Sequence, residues 1–168
     1  MAVKKVSQVG EVVIRAKAKP VTKKNVPELT RLIRDMTDTL HATNLIGIAA
    51  PQIGIGLQVF ITELAMNDRK KKVGDAEQWR VFINPKITWR SEHETVLEEG
   101  CGSVCHSGLF GPVQRPAEVE VQALDEHMQP FTLKVSGLLA KCIQHEFDHL
   151  QGVVVLDKFT DTRKCWVA

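Results

Sequence analysis

This sequence has no long apolar run, no marked excess of charge of one sign, few cysteines and no internal repeat. No segment approaches the ~18 consecutive apolar residues that a membrane-spanning helix needs. The 22 Lys+Arg against 20 Asp+Glu leave a formal charge of +2, far from the basic excess of a general nucleic-acid binder. Neither a membrane partner nor nucleic-acid specificity is expected. The four cysteines, at 101, 105, 142 and 165, are too sparse in 168 residues for a disulfide scaffold. The first residues lack the apolar stretch of a secretory signal. A reducing, cytosol-like compartment is expected, where cysteines serve as metal ligands or core residues. Lys4, Lys5, Arg15, Lys17 and Lys19 stand against Glu11 alone, and this N-terminal stretch reads as a solvated tail.

What is present is ordinary globular material, 43% apolar and 25% charged, which excludes disorder as the dominant state. No linker divides the chain, so residues 1–168 are expected to form a single domain with a real core. Asn25 followed by Glu28 reads as a helix start, with Asn25 as the cap. Leu29, Leu32, Ile33, Met36 and Leu40 then recur at helical spacing to about His41. Gly47 to Gly54 is turn-like. Strands are expected around Val59, Ile61 and Leu64 and from Val81–Ile83 onward, with Asp68, Arg69, Lys70, Lys71 and Lys72 as a solvated loop between them. Val119, Val121 and Ala123 alternate with polar residues, as do Phe131, Leu133 and Val135, which predicts an antiparallel hairpin. A second helix should run from a Ser136 cap to about Leu150, with Leu139, Ile143, Phe147 and Leu150 facing the core. The fold class is therefore α+β: antiparallel strands around a C-terminal helix, with an N-terminal helix packed on the sheet.

The strongest chemical signal lies on that second helix, His145-Glu146-Phe147-Asp148-His149. Histidines at i and i+4 point the same way and can share one metal ion, with the adjacent Glu146 placed as general base on its water. Two histidines leave a catalytic site one protein ligand short. Candidates for the third are His41, His93, His106, His127, the acids and the cysteines. Cys101 is attractive on local grounds, because it sits in a glycine-flanked turn, Gly100-Cys101-Gly102. The stretch from Cys101 through Cys105-His106 is one residue too long for a haem-attachment motif.

Taken together, Gly47–Gly54, Glu99–Ser103 and Gln144–Leu150 resemble, in order and spacing, the three signature segments of the peptide deformylase family. Arg115 through Leu156, with Ala123-Leu124-Asp125, also has that family's hairpin-then-helix pattern. The resemblance implies a metal-dependent hydrolase. It would remove the formyl group from the N-terminal formyl-methionine of newly made polypeptides and release formate. It implies Cys101, His145 and His149 as metal ligands, Glu146 as general base and acid, and Gln52 and Gly102 as oxyanion donors. Ile46, Gly47, Leu97, Leu138 and Cys142 would line the methionine pocket. Glu99, Arg115 and Asp148 would support the ligands from behind. The cofactor implied is one divalent ion, iron(II) first, with zinc, nickel or cobalt as substitutes. The partners implied are N-formyl-methionyl nascent peptides, near the ribosome, in a bacterial cytoplasm or an organelle matrix.

The sequence departs from the family pattern at several places. Leu45 stands at a usual glycine, Gly102 at a usual leucine and Cys105 at a common proline, and the stretch before Arg115 is slightly longer. Lys141 occupies a pocket-wall position that is apolar in some members, and is left off the lining. Two other readings share the motifs: an HExxH peptidase acting on internal bonds, and a binding protein that keeps the fold without turnover.

Overall fold

The computed structural model describes residues 2–64 and 79–167. The basic run at residues 68–72 lies outside them.

Three α-helices and eight strands, with short 3-10 turns between them, make up the described chain: α1 (Val12–Arg15), α2 (Val26–Thr43), β1 (Gly47–Ala49), β2 (Val59–Thr62), β3 (Arg80–Arg90), β4 (Glu94–Gly100), β5 (Leu109–Pro116), β6 (Glu118–Leu124), β7 (Pro130–Ser136), α3 (Gly137–Leu150) and β8 (Trp166–Val167). They form two antiparallel sheets, one of five strands ordered β1-β2-β3-β6-β7 and one of three ordered β4-β5-β8. This is the α+β architecture that the patterning predicts.

Helices cover both faces of the five-stranded sheet. On one face Val59, Ile61, Val81 and Ile83 pack with Leu29, Ile33, Met36 and Leu40 of α2. On the other, Phe60, Phe82, Val119, Val121 and Val135 pack with Leu139, Ala140, Ile143 and Leu150 of α3. Successive strand residues point to opposite faces, so β2, buried throughout, must be apolar at every position except its last. The β6–β7 hairpin pairs residue for residue, from Glu118 with Ser136 to Leu124 with Pro130.

Both expected helix caps are corrected. The Asn25 Oδ1 atom accepts from the Thr22 N–H at 2.8 Å instead of capping α2, so it closes the preceding turn. The helix also continues past His41 to Thr43 and ends on Asn44 in the left-handed region, φ 53°. Ser136 makes no side-chain cap, because it is the last paired residue of β7. The chain turns from strand into helix at Gly137 instead, whose φ of 61° suits glycine.

The N-terminal stretch is no solvated tail. The Ala2 N–H donates to Asp38 at 3.2 Å, the Lys4 N–H donates to Thr39 at 2.9 Å, and the Lys4 ammonium pairs with Asp35 at 3.2 Å. Ser7 is buried. The start of the segment is fastened to α2, while further along Arg15 pairs with Asp157 at 2.5 Å and the Lys19 N–H donates to the Gly56 carbonyl at 2.8 Å.

Candidate active site

α3 delivers two histidines and a glutamate from one turn and a half of helix. Its core stripe fixes its rotation, with Ile143 and Leu150 fully buried. That rotation turns His145 and His149 toward the end of β4, with their rings 5.1 Å apart. Cys101 follows directly on β4 and is 2% exposed. Its Sγ lies 3.2 Å from His149 Nε2. One ligand atom from each of Cys101, His145 and His149 falls within 4.8 Å of the others.

Two buried cysteines stand near this point in opposite states. Burial disfavours a thiolate at Cys101, but the His149 and His145 imidazoles outweigh it and hold the thiol well below its ordinary range. Cys142 gets no such help. Burial and the nearby Glu146 carboxylate push its thiol well up. Of the two, Cys101 is the sulfur suited to ligate a metal ion, while Cys142 is held as a neutral thiol in the cavity wall.

Behind the histidines sits a buried ion cluster. The Arg115 Nε and Nη2 atoms donate to the two oxygens of Glu99 at 2.7 and 2.9 Å, and Nη1 donates to Asp148 at 2.7 Å. Glu99 also meets His145 Nδ1 at 3.1 Å, which leaves the Nε2 side of that ring to face the cysteine. Burial alone would raise the Glu99 carboxyl. Its hydrogen bonds to His145 and Arg115 prevail and hold it at about 2, fully ionised near neutrality. The carboxylate therefore fixes the ring's tautomer and orientation.

Glu146 is 4% exposed. Burial pushes its carboxyl up to about 7, against the opposing pull of His145 and His149. Its Oε2 atom is buried with no hydrogen-bond partner among the described residues, an acceptor left open. Gly47 makes room for it: a Cβ there would lie 2.7 Å from both Glu146 Oε1 and Cys142 Sγ.

Gln52, 1% exposed, belongs to the short 3-10 turn Ala50–Ile53 after β1. Its Oε1 accepts from the Ala49 N–H at 2.8 Å, which fixes which end of the amide is which. The Nε2 end then points at Ser103 Oγ, 3.3 Å away, and toward Cys101 Sγ at 3.8 Å. Gly102 lies beside it in the turn after Cys101.

A cavity of about 440 Å³ opens over these groups, lined by Ile46, Gly47, Gln52, Glu99, Cys101, Gly102, Leu138, Cys142, His145 and Glu146 among others. Arg115 and Asp148 stand behind the wall. Leu97 does not line the cavity and is 40% exposed. Lys141, left off the lining in the sequence reading, does line it. Its buried side chain reaches from α3 to the Thr95 carbonyl on β4. Phe110 of β5 is a second lining residue that the sequence reading missed. Lys141 was findable, since it lies one helical turn before His145 on the same side of α3. Nothing local marks Phe110.

The polypeptide deformylase family model matches residues 3–165. The chain belongs to the polypeptide deformylase family. A peptide deformylase of Pseudothermotoga lettingae is 40% identical over 163 residues, 96% of this chain and 86% of the relative. One of Pelagibacter ubique is 38% identical over 99% of this chain and 92% of its own. Among solved structures, a peptide deformylase from Legionella pneumophila superposes with a TM-score of 0.84 at 35% identity, over 97% of this chain and 89% of that one. Another, from Synechococcus elongatus in complex with actinonin, gives 0.82 at 36% identity, over 95% of this chain and 80% of that one. Peptide deformylases are hydrolases that remove the N-formyl group from nascent peptides, and the family is metal-dependent. No helix among the described residues is long and apolar enough to cross a membrane.

Proposed function

We propose that this chain deformylates formyl-methionyl peptides at the cavity over Cys101, His145 and His149, with residues 1–168 acting as one catalytic domain. The observation that carries this reading is the convergence of three ligand atoms within 4.8 Å beside a buried carboxylate with an open oxygen. The donor set fits a divalent ion. One thiolate and two imidazoles suit zinc, cobalt, nickel or iron(II), and the family resemblance favours iron(II). Bound there, such an ion would act as a Lewis acid and make water at its open position nucleophilic near neutral pH.

The chain's own groups do the rest. Water attacks the formyl carbon, and Glu146 takes its proton on a carboxylate oxygen. The Gln52 Nε2–H and the Gly102 backbone N–H donate to the oxygen that gains negative charge, each donor contributing roughly 3–4 kcal/mol. Glu146 then gives its proton to the leaving amine nitrogen, and formate and a free N-terminus separate. Glu99 holds His145 in place throughout, and Arg115 keeps Glu99 ionised.

The substrate would enter as an extended strand. β1 and β4 are both edge strands, and both border the cavity. Backbone groups on their outer edges would give affinity with little preference for sequence. The methionine side chain would occupy the apolar wall formed by Ile46, Leu138 and Cys142. Because nascent chains would be the substrate, the reaction would take place close to the ribosome, in a bacterial cytoplasm or an organelle matrix.

The deciding assay is formate release from formyl-Met-Ala-Ser by iron(II)-loaded protein kept anaerobic. Formate with an intact peptide bond is the expected result. Cleavage of the internal bonds would make the chain a peptidase, and binding without release would make it a relic.

A further inference from the structure

The two proposed oxyanion donors follow strands of two different sheets among the described residues. Gln52 follows β1 in the five-stranded sheet, and Gly102 follows β4 in the other. Besides the Gln52 Nε2 contact to Ser103 Oγ at 3.3 Å, the N-terminal segment at residues 7–9 ties them together through its backbone. The Ser7 N–H donates to the Gln52 carbonyl at 2.8 Å, and the Val9 N–H donates to the Ser103 carbonyl at 2.8 Å. Between these, the Gln8 side chain bridges the Gly102 turn. Its Nε2 donates to the Gly102 carbonyl at 2.9 Å and to the Val6 carbonyl at 3.1 Å, and its Oε1 accepts from the His106 N–H at 3.2 Å.

The turn needs such a hold. Gly102 has no side chain to pack, and glycine is the residue with most backbone freedom. Further along, Cys105 and His106 both adopt left-handed conformations, φ 46° and 53°, and non-glycine residues keep these only where surroundings enforce them. Gln8 reaches both ends of this stretch. The peptide unit joining Gly102 and Ser103 is then pinned twice. Its carbonyl is held by Gln8, and its N–H points at Cys101 Sγ, 3.4 Å away. With Cys101 fixed as well, the rotation that aims the Gly102 N–H loses most of its freedom.

We propose that Gln8 is a positioning residue for the oxyanion site, holding the Gly102 N–H in the orientation that a larger side chain at position 102 would otherwise help to fix. The role rests on the deformylase reading of Gln52 and Gly102.

The test uses full-length zinc-loaded protein and two variants. Gln8→Met keeps the stem and removes all side-chain bonds. Gln8→Glu keeps the acceptor for His106 and removes the donor to Gly102. Both should lower kcat on formyl-Met-Ala-Ser by about tenfold, ~1.4 kcal/mol of transition-state stabilisation. KM should stay within about twofold, since only the transition state uses the donor. Metal content should stay stoichiometric. In ¹⁵N-labelled zinc protein the Gly102 amide resonance should shift or broaden while those of His145 and His149 hold still. Turnover within about twofold of wild type, a loss that follows metal content, or an unmoved Gly102 amide would each overturn the proposal. So would failure of both variants to fold, which would make Gln8 a stability residue only. Wild-type protein that releases no formate would sink the deformylase reading instead, and the amide resonance would still report whether Gln8 holds Gly102.

Discussion

Replacing Gly47 by alanine should slow turnover far more than it lowers stability. The new Cβ would stand 2.7 Å from Glu146 Oε1, 2.7 Å from Cys142 Sγ and 3.0 Å from Glu146 Cδ. Ordinary contacts to carbon begin near ~3.5 Å, so roughly 0.8 Å must be yielded. β1 cannot supply it freely, because all three of its residues pair with β2. Nor can α3, whose Ile143 is fully buried beside both residues. The carboxylate of Glu146 is the part able to rotate away. A ~1 Å displacement of a catalytic group costs on the order of 10²-fold in rate. Overpacking should cost about 1–3 kcal/mol of stability, which at ~2–4 °C per kcal/mol for a chain of this size is a modest fall in Tm. Formate release, metal analysis and a thermal melt measure the three quantities. Adding Cys142→Ala removes the sulfur contact and leaves the Glu146 contact, so the double variant should regain part of the Tm and little of the turnover. Turnover within about threefold of wild type with full metal would refute the reasoning, because Glu146 would then not be held against Gly47.

Further expectations follow from the same geometry. Cys101→Ala should lose bound metal and activity together, and full occupancy by elemental analysis would contradict the three-ligand assignment. Glu146→Gln should keep metal and KM while turnover drops at least ~10²-fold; a smaller drop would point to another base. Arg115→Met strands two carboxylates, Glu99 and Asp148, and removal of one partner from a buried ion cluster costs roughly 3–5 kcal/mol. Chemical denaturation should show that loss, and a change below ~1 kcal/mol would mean that water already solvates the cluster.

Much of the scaffold was legible because its signals are local. The alternation in β6 and β7 reports one buried face, and the recurrence of Leu29, Ile33, Met36 and Leu40 reports one side of a helix. His145 and His149 are neighbours by helix geometry alone, whatever the rest of the chain does. The failures are equally instructive. Asn25 and Ser136 have cap chemistry, but a turn and a strand claimed them first. The basic residues near the N-terminus suggested a solvated tail because composition records side chains and not where backbone N–H groups bond. Lys141 lay on the right helical face, yet its charge argued against a cavity wall until the Thr95 carbonyl supplied a partner.

The sequence by itself determined the periodic elements and the residue types able to hold a metal and move a proton. The tertiary structure brings Cys101, among the cysteines, to within ligand distance of His145 and His149. Cys101 is 44 residues before His145 in the chain only by count, and the two meet because β4 ends where α3 turns its histidines. The same holds for Arg115 between Glu99 and Asp148, for Gly47 against Glu146, and for Gln8 at Gly102. Each pairing joins residues far apart in sequence, and no local periodicity encodes such contacts. They exist because α2 and α3 bury the two faces of the five-stranded sheet while Cys101, Val104, Val113 and Val155 form a further core at the three-stranded one.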